Sequence, residues 1–170
     1  MKTIKSKFLV LSLILFTAIA FSSCDKDDYE LKLAELTYEA TIPVPPNGAI
    51  FPPHNIDLGY QWIKVVGGGS YDRIDDLRYL EGSIEIFSGP HIEGLKFILE
   101  NSNVTLTVPL NSRKGAFLDD TDPAVRVFLK EVVYLIRDTG YARVGVTGQT
   151  TTEGSVEFDI LIDMEARVWY

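Results

Sequence analysis

The sequence predicts a mainly β protein: an antiparallel β-sandwich of immunoglobulin-like or related topology, with seven or eight strands and one short helix. Several segments alternate apolar and polar residues with a period of two, which places one face of a strand on a core and the other in water. Clusters of Gly, Pro, Asn and Ser separate these segments at short intervals. A sheet with one solvent-exposed face must bury the other, and packing against a second sheet is the simplest way to bury it. An eight-stranded closed barrel is the alternative.

The first part of the domain reads as two strands separated by a loop. Residues 36–42 alternate strictly between apolar and polar side chains, which predicts a strand. Prolines recur through residues 43–53, where fixed φ angles and missing amide donors predict a loop. Residues 58–66 are apolar, β-branched and aromatic, which predicts one strand ending at the glycine turn of residues 67–70. The glycines of that turn match neither of the two phosphate-binding patterns, GxxxxGK[ST] and GxGxxG followed by a helix.

The middle of the chain predicts a strand and a hairpin. Residues 84–86 suggest a strand that ends at the SGP sequence beginning at residue 88. Residues 95–100 and 104–110 alternate on either side of residues 101–103, whose short polar side chains suit a tight reversal. We expect these two runs to pair as a hairpin.

One helix is predicted after residue 122. Asp122 is a suitable N-cap, Pro123 suits the first helical position, and Gly140 is a suitable stop. The apolar residues at helical spacing are Val125, Phe128, Leu129, Val132, Val133 and Ile136. Because valine lowers helix propensity, residues 132–136 could instead be extended.

The C-terminal third carries the clearest strand pattern. Residues 142–146 alternate, and after a glycine-bounded turn at residues 148–154 seven apolar side chains follow at every second position from Val156 to Val168. Charged residues occupy the opposite face, interrupted only by Leu161. We expect these two segments to form a long antiparallel hairpin.

The N-terminus has the pattern of an export signal. Three lysines, Lys2, Lys5 and Lys7, precede an apolar run at residues 8–21, which is too short for the roughly 20 residues that span a bilayer. The sequence FSSC that ends at Cys24 resembles the lipobox of bacterial lipoproteins. The resemblance implies cleavage before Cys24 and attachment of the mature chain to a membrane by acyl chains on that residue.

The residues after Cys24 are strongly charged. The sequence DKDD resembles the export tag of surface lipoproteins in the Bacteroidetes, which implies display on the outer face of the cell outer membrane; a solvated tether facing the periplasm is the alternative. Removing the three signal lysines leaves 13 Lys plus Arg against 24 Asp plus Glu, a mature formal charge of −11. Such a chain without a basic cluster is not expected to bind nucleic acid.

The N-terminal signal and the strand patterns together predict that the chain is organised in three parts. Residues 1–23 form the signal peptide, residues 24–30 the lipidated cysteine and acidic tether, and residues 31–170 a single β-sandwich domain. The domain is long enough to bury a core without disulfides, and Cys24 is the sole cysteine.

The residue pattern predicts no enzyme. His54 and His91 lie far apart in proline-containing loops, and neither belongs to a zinc or hydrolase motif. Acidic clusters at residues 72–76 and 119–122 could offer oxygen ligands to calcium. Helix capping and a solvated loop account for them better. We therefore predict no catalytic residue, no metal and no cofactor.

Aromatic side chains are the remaining candidates for a ligand site. The three selected positions are Tyr60, Trp62 and Trp169, which could stack on sugar rings, with Tyr71 and Tyr170 as further candidates; core packing is the common alternative. Alternation places Trp169 on the charged face, exposed or covered by the N-terminal segment.

As a whole, the mature chain resembles the small β-sandwich lipoproteins of the Bacteroidetes. The features that carry the resemblance are the lipobox, the acidic tether, the helix that begins near DPAVRVFL and the final long hairpin from YARVGVTG to EFDILIDMEARVW. It implies a non-enzymatic binding or accessory subunit of an outer-membrane assembly, with a glycan or protein ligand. An architectural or adhesion component is one alternative, and a hydrolase that brings a histidine to a carboxylate or serine is another.

The resemblance predicts the chemical state of residue 24. We expect mature protein from native membranes to begin at Cys24 and to carry two or more acyl chains, because one chain holds a protein only marginally. Intact-mass spectrometry measures this directly, and Cys24→Ser should leave the leader uncleaved. A wild-type chain without acyl groups, or one that keeps its leader, would contradict the assigned location.

Overall fold

A computed structural model of the protein describes residues 28–44, 50–51, 56–87, 92–108, 115–150 and 154–170. These residues contain ten strands and one α-helix. The strands are β1 (Tyr29–Val44), β2 (Ile50–Phe51), β3 (Ile56–Gly59), β4 (Ile63–Val65), β5 (Ile74–Ile86), β6 (Ile92–Leu99), β7 (Thr105–Thr107), β8 (Ala116–Asp119), β9 (Tyr141–Thr150) and β10 (Gly154–Trp169). The helix α1 spans Pro123–Thr139, and short 3-10 turns occupy Tyr60–Trp62 and Tyr71–Arg73.

The strands form two antiparallel sheets. The first sheet has the order β4-β1-β10-β5-β8, and the second has the order β2-β9-β6-β7, with β3 also paired to β9. Among the described residues the sheets stay separate and do not close on each other. The mainly β class and the two-sheet architecture are therefore confirmed, and the arrangement is consistent with a β-sandwich rather than a closed barrel.

The core lies between the sheets and under the helix. The seven alternating apolar side chains of β10, from Val156 to Val168, are all buried, as the sequence predicted. Phe97 of β6 lies edge-on to Phe158 of β10, with ring centroids 5.1 Å apart, and edge-on to Phe128 of α1 at 6.1 Å. One aromatic side chain therefore joins both sheets and the helix.

The helix is confirmed with its predicted ends. The Asp122 carboxylate accepts a 2.8 Å hydrogen bond from the backbone N–H of Ala124, and Gly140 ends the helix in the left-handed conformation at φ 80°. All six predicted apolar residues are buried, so residues 132–136 are helical and not extended. The helix contacts β5 and β8 of the first sheet and β7 and β9 of the second. Burial of the apolar stripe outweighs the low helix propensity of valine.

The predicted hairpin between β9 and β10 is wrong. Strand β9 pairs with β2, β3 and β6 in the second sheet, whereas β10 pairs with β1 and β5 in the first. The two segments therefore belong to opposing sheets. A period of two requires each strand to bury one face, and two sheets that face each other satisfy that requirement as well as a hairpin does.

Residues 58–66 do not form one strand. The chain pairs with β9 over Ile56–Gly59, turns through Tyr60–Trp62 and then pairs with β1 over Ile63–Val65, so it passes from the second sheet to the first. The predicted proline-rich loop is also shorter than expected, because β1 extends to Val44 and β2 occupies Ile50–Phe51.

Two predicted turns are confirmed. Gly67 and Gly68 adopt φ angles of 85° and 82°, which glycine accepts without strain. Strands β6 and β7 pair as the expected hairpin, with Phe97 opposite Leu106 and Asn101 at φ 62° in the reversal.

Removing the Phe97 ring should destabilise the whole fold. We expect Phe97→Ala to lower the free energy of unfolding by about 3–5 kcal/mol, because it leaves a cavity between both sheets and the helix. Phe97→Leu should cost about 1 kcal/mol. Urea denaturation measures both values, and Phe117→Ala is the matched control because Phe117 is exposed on β8. Equal losses for Phe97→Ala and Phe117→Ala would contradict the central role of Phe97.

Candidate docking surface

A β-bulge brings an aliphatic side chain to the outer face of the first sheet. Glu81 lies opposite Asp163 and Tyr79 lies opposite Met164, so Leu80 is an extra residue in β5. Leu80 and Glu81 are consecutive and both exposed, which departs from the alternation of a regular strand that buries one face. The bulge thus places Leu80 on the face that regular alternation would leave polar.

Two further aliphatic side chains lie close to Leu80. Leu33 projects from the outer face of β1 and is 61 % exposed, and Val66, just after β4, is 51 % exposed. The backbone N–H of Val66 donates a 2.8 Å hydrogen bond to the carbonyl oxygen of Leu33, which holds the two residues side by side. These three residues, with Ala34 and Met164 below them, line a depression of about 480 Å³. We call it the apolar depression.

Carboxylates border the apolar depression and continue along the sheet in two rows. Each row crosses β1, β10 and β5 at directly opposite register positions. The first row contains Glu35, Asp163 and Glu81, and the second contains Glu39, Asp159 and Glu85. Between these acidic rows lies an uncharged row of Thr37, Leu161 and Ser83. Along β1 the outer face therefore alternates between uncharged residues, Leu33 and Thr37, and acidic ones, Glu35 and Glu39. At the level of Leu33, β10 and β5 carry the ion pair of Glu165 with Arg78.

The acidic rows oppose like charges. Side chains at opposite positions have Cβ atoms about 4.5–5.5 Å apart, and like charges there destabilise a sheet. Two unit charges about 5 Å apart in water repel by roughly 0.8 kcal/mol. No described residue forms an ion pair with any of these six carboxylates, although Lys64 of β4 lies opposite Glu35 in register.

Several charges elsewhere on the two sheets are paired. Near the start of β1, on the same face, Arg167 contacts Asp75 at 2.7 Å and Arg78 approaches Glu165 at 3.9 Å. On the second sheet the Arg143 guanidinium lies 3.0 Å from the Asp57 carboxylate and 3.3 Å from that of Glu100. The six carboxylates of the acidic rows differ from these residues, because none of them forms an ion pair with a described residue.

The two predicted tryptophans do not lie together. Trp62 packs edge-on against Tyr38 at 5.1 Å, and Trp169 packs edge-on against Tyr29 at 5.8 Å. Tyr29 and Tyr38 are nine residues apart on one extended strand, which is about 30 Å at the rise of a β-strand. Trp169 is therefore both partly covered by the N-terminal segment and partly exposed.

Tyr60 forms hydrogen bonds with the C-terminal end of the helix and takes no part in the ring contacts of the two tryptophans. Its hydroxyl lies 3.5 Å from the backbone oxygen of Arg137, and its backbone N–H donates to the oxygen of Gly140 at 3.3 Å. Burial raises the pKa of the Tyr60 hydroxyl above its ordinary value. The predicted set of Tyr60, Trp62 and Trp169 thus does not form one stacking platform.

The acidic cluster before the helix has structural partners. Asp119 accepts hydrogen bonds from the hydroxyl and the backbone N–H of Thr121, which hold the pKa of its carboxyl below the usual range. Asp120 accepts a 2.9 Å hydrogen bond from the Tyr79 hydroxyl, and burial and this contact raise the pKa of Tyr79 well above the ordinary value. Asp122 caps the helix. These contacts link the helix start to β5.

Some predicted residues lie outside the described part of the chain. These are Cys24, His54 and His91. Within the described ranges, no group of three or more His, Cys, Asp or Glu residues is arranged to hold a metal ion, and no helix has the length and apolarity to cross a membrane.

Local sequence patterns do not reveal the apolar depression. Leu33 precedes the alternating run of residues 36–42 and falls on the opposite side of the strand from Leu36, so strict alternation gave it no role. The one sequence signal was the break in polar alternation at Leu161, because the exposure of Leu80 depends on a bulge that only pairing with β10 reveals. Comparison with family models, curated proteins and solved structures finds no match for the chain.

Neutralising one carboxylate in an acidic row should stabilise the fold. We expect Asp159→Asn to raise the melting temperature by about 2–4 °C, because it relieves repulsion from both Glu39 and Glu85. The gain should shrink at about 1 M salt, where the Debye length falls to about 3 Å. Differential scanning calorimetry at low and high salt measures both effects.

Asp57→Asn is the matched control for this substitution. Asp57 also lies in a strand, but it faces Arg143, so its neutralisation should leave the melting temperature unchanged or lower it. If both substitutions shift the melting temperature in the same direction and by the same amount, the acidic rows impose no local repulsion.

Proposed function

We propose that this protein is a non-enzymatic, lipid-anchored binding or accessory subunit of an outer-membrane assembly, displayed at the cell surface. Its ligand is a protein that docks on the outer face of the first sheet. The observation that carries this proposal is the apolar depression, where three exposed aliphatic side chains lie on a sheet face bordered by unpaired carboxylates. Contiguous apolar surface of this kind marks association sites on soluble domains.

The shape of this face favours a macromolecular ligand. Two further depressions, of about 420 and 210 Å³, lie beside the acidic rows on the same sheet. The surface is thus a broad face with several shallow depressions. A glycan platform is less well supported, because Trp62 and Trp169 pack against Tyr38 and Tyr29, which are about 30 Å apart along β1.

The position of the tether suits display of this face. Strand β1 begins at Tyr29, five residues after Cys24, so acyl chains on Cys24 would place the start of β1 next to the bilayer. Leu33 lies four residues further along the strand and Glu39 ten residues further, which correspond to about 13 and 33 Å. The acidic rows would therefore lie beyond the tethered end of the sheet, at a distance from the membrane that leaves them accessible to a partner.

Side chains at the tethered end suit a membrane interface. Trp169 lies against Tyr29, and the Tyr170 hydroxyl donates a 2.5 Å hydrogen bond to the Glu30 carboxylate. Trp and Tyr favour the headgroup region because one end of the ring is apolar and the other is polar. The charged groups of this end are largely paired, including Lys32 with Glu30.

The two tryptophans of the chain provide a test of anchoring and orientation. Their exposures are nearly equal, 43 % for Trp169 and 42 % for Trp62. We expect lipidated chain in phosphatidylcholine vesicles with brominated acyl chains to show strong quenching of Trp169, measured in Trp62→Phe. Trp62, measured in Trp169→Phe, should be quenched far less, because it lies further from the tether.

Each outcome of this experiment has a definite meaning. Equal quenching of both tryptophans would contradict the proposed orientation. Acylated chain in which Trp169 is not quenched would contradict contact between this end and the bilayer. Protein that fails to associate with vesicles and lacks acyl groups by mass would overturn the lipid anchor itself.

A further inference from the structure

We propose that the outer face of the first sheet binds a partner segment whose sheet-facing side chains alternate between aliphatic and cationic residues. This inference rests on the proposed binding function and deepens it by naming the chemistry of the ligand. It follows from the spacing of the rows on this face.

The rows repeat in a fixed order along the strands. The first row holds Leu33 of the apolar depression, and beside it on β10 and β5 the charges of Glu165 and Arg78 neutralise each other. The row of Glu35, Asp163 and Glu81 is second, the row that contains Leu161 third, and the row of Glu39, Asp159 and Glu85 fourth. Successive rows are two residues apart, which is about 6.7 Å along a β-strand.

A partner segment can match this order with regular backbone geometry. In an extended segment, alternate side chains point to one side and repeat at the same distance of about 6.7 Å. A segment of order aliphatic, cationic, aliphatic, cationic therefore sets its apolar side chains on the depression and on Leu161, and its charges over the two acidic rows.

Both the aliphatic and the acidic parts of this surface would gain favourable contacts from such a ligand. Leu33, Val66 and Leu80 expose aliphatic surface to water, whose burial is favourable. The carboxylates of the two rows repel one another, and a cation between them replaces repulsion by attraction. One ligand thus removes both unfavourable features.

Charge disfavours a second copy of the chain as the occupant. The formal net charge is −8 for the whole sequence, and a two-fold contact through this face would bring acidic rows together. An anionic lipid surface is disfavoured for the same reason. A cationic and aliphatic segment of another protein fits both the sign of the charge and the apolar rows.

The test compares two peptides of identical composition. One repeats the order Leu-Ser-Lys-Ser, so that every second side chain alternates between Leu and Lys; the other groups its Leu and its Lys residues in separate halves. We expect fluorescence anisotropy to show that mature, lipidated protein in nonionic detergent binds the alternating peptide about tenfold more tightly. Similar affinities for the two peptides would show only non-specific attraction of a polycation and would overturn the proposal.

Paired variants locate the site. Val66→Ser should weaken binding of the alternating peptide by about tenfold, whereas Val127→Ser, at a 55 % exposed helix position away from this face, should leave the affinity within about twofold. Glu81→Gln should weaken binding, and Glu100→Gln, on the second sheet beside Arg143, should not. Equal effects within either pair would overturn the assignment.

Other occupants give distinct results. Self-association that is lost in Val66→Ser, together with no preference for the alternating peptide, would assign the face to a second copy. If mature protein from native membranes carries no acyl chain and still prefers the alternating peptide, the proposed anchor fails and this inference stands. Acylated, correctly oriented protein with no peptide preference would reject the inference alone.

Discussion

The packing of Phe97 between Phe158 and Phe128 is the contact on which the rest of the structure depends. These three side chains come from the second sheet, the first sheet and the helix, and all are fully buried. Because protein interiors are close-packed, this contact fixes how the three layers sit against one another. Every inward side chain of β10 then has a place in the core, and the outward side chains take their positions from the same strand.

The outer face of the first sheet is free to serve another purpose because the inner face supplies the stability. Strand β10 lies between β1 and β5 over most of its length, so its carboxylates are held at fixed distances from those of both neighbours. A rigid sheet cannot relieve this repulsion by separating its strands. The face thus combines exposed aliphatic side chains with repelling charges. Proteins commonly retain such locally unfavourable features at functional sites.

The components of this surface are partly visible in the sequence. Asp159, Asp163 and the interruption at Leu161 are evident in the alternation of residues 156–168. Their neighbours are not, since Glu35 and Glu39 precede them by more than one hundred residues and Glu81 and Glu85 by more than seventy. Opposition of these carboxylates requires the strand order β1-β10-β5, and no local pattern specifies that order. The bulge at Leu80 likewise depends on pairing with β10.

Local patterns in the sequence alone determined the mainly β class, the inward residues of β10, the glycine turn at residues 67–70 and both ends of the helix. Each depends on interactions within a few residues: alternation along a strand, a side-chain cap, or a glycine at positive φ. Tertiary structure decided which strands pair. It placed β9 and β10 in opposing sheets, divided residues 56–65 between the two sheets, and brought acidic residues from three distant segments into rows. The physical reason is that alternation of apolar and polar residues shows which side of a strand is buried. It does not select the neighbouring strand, because any strand with the same alternation can form the backbone hydrogen bonds.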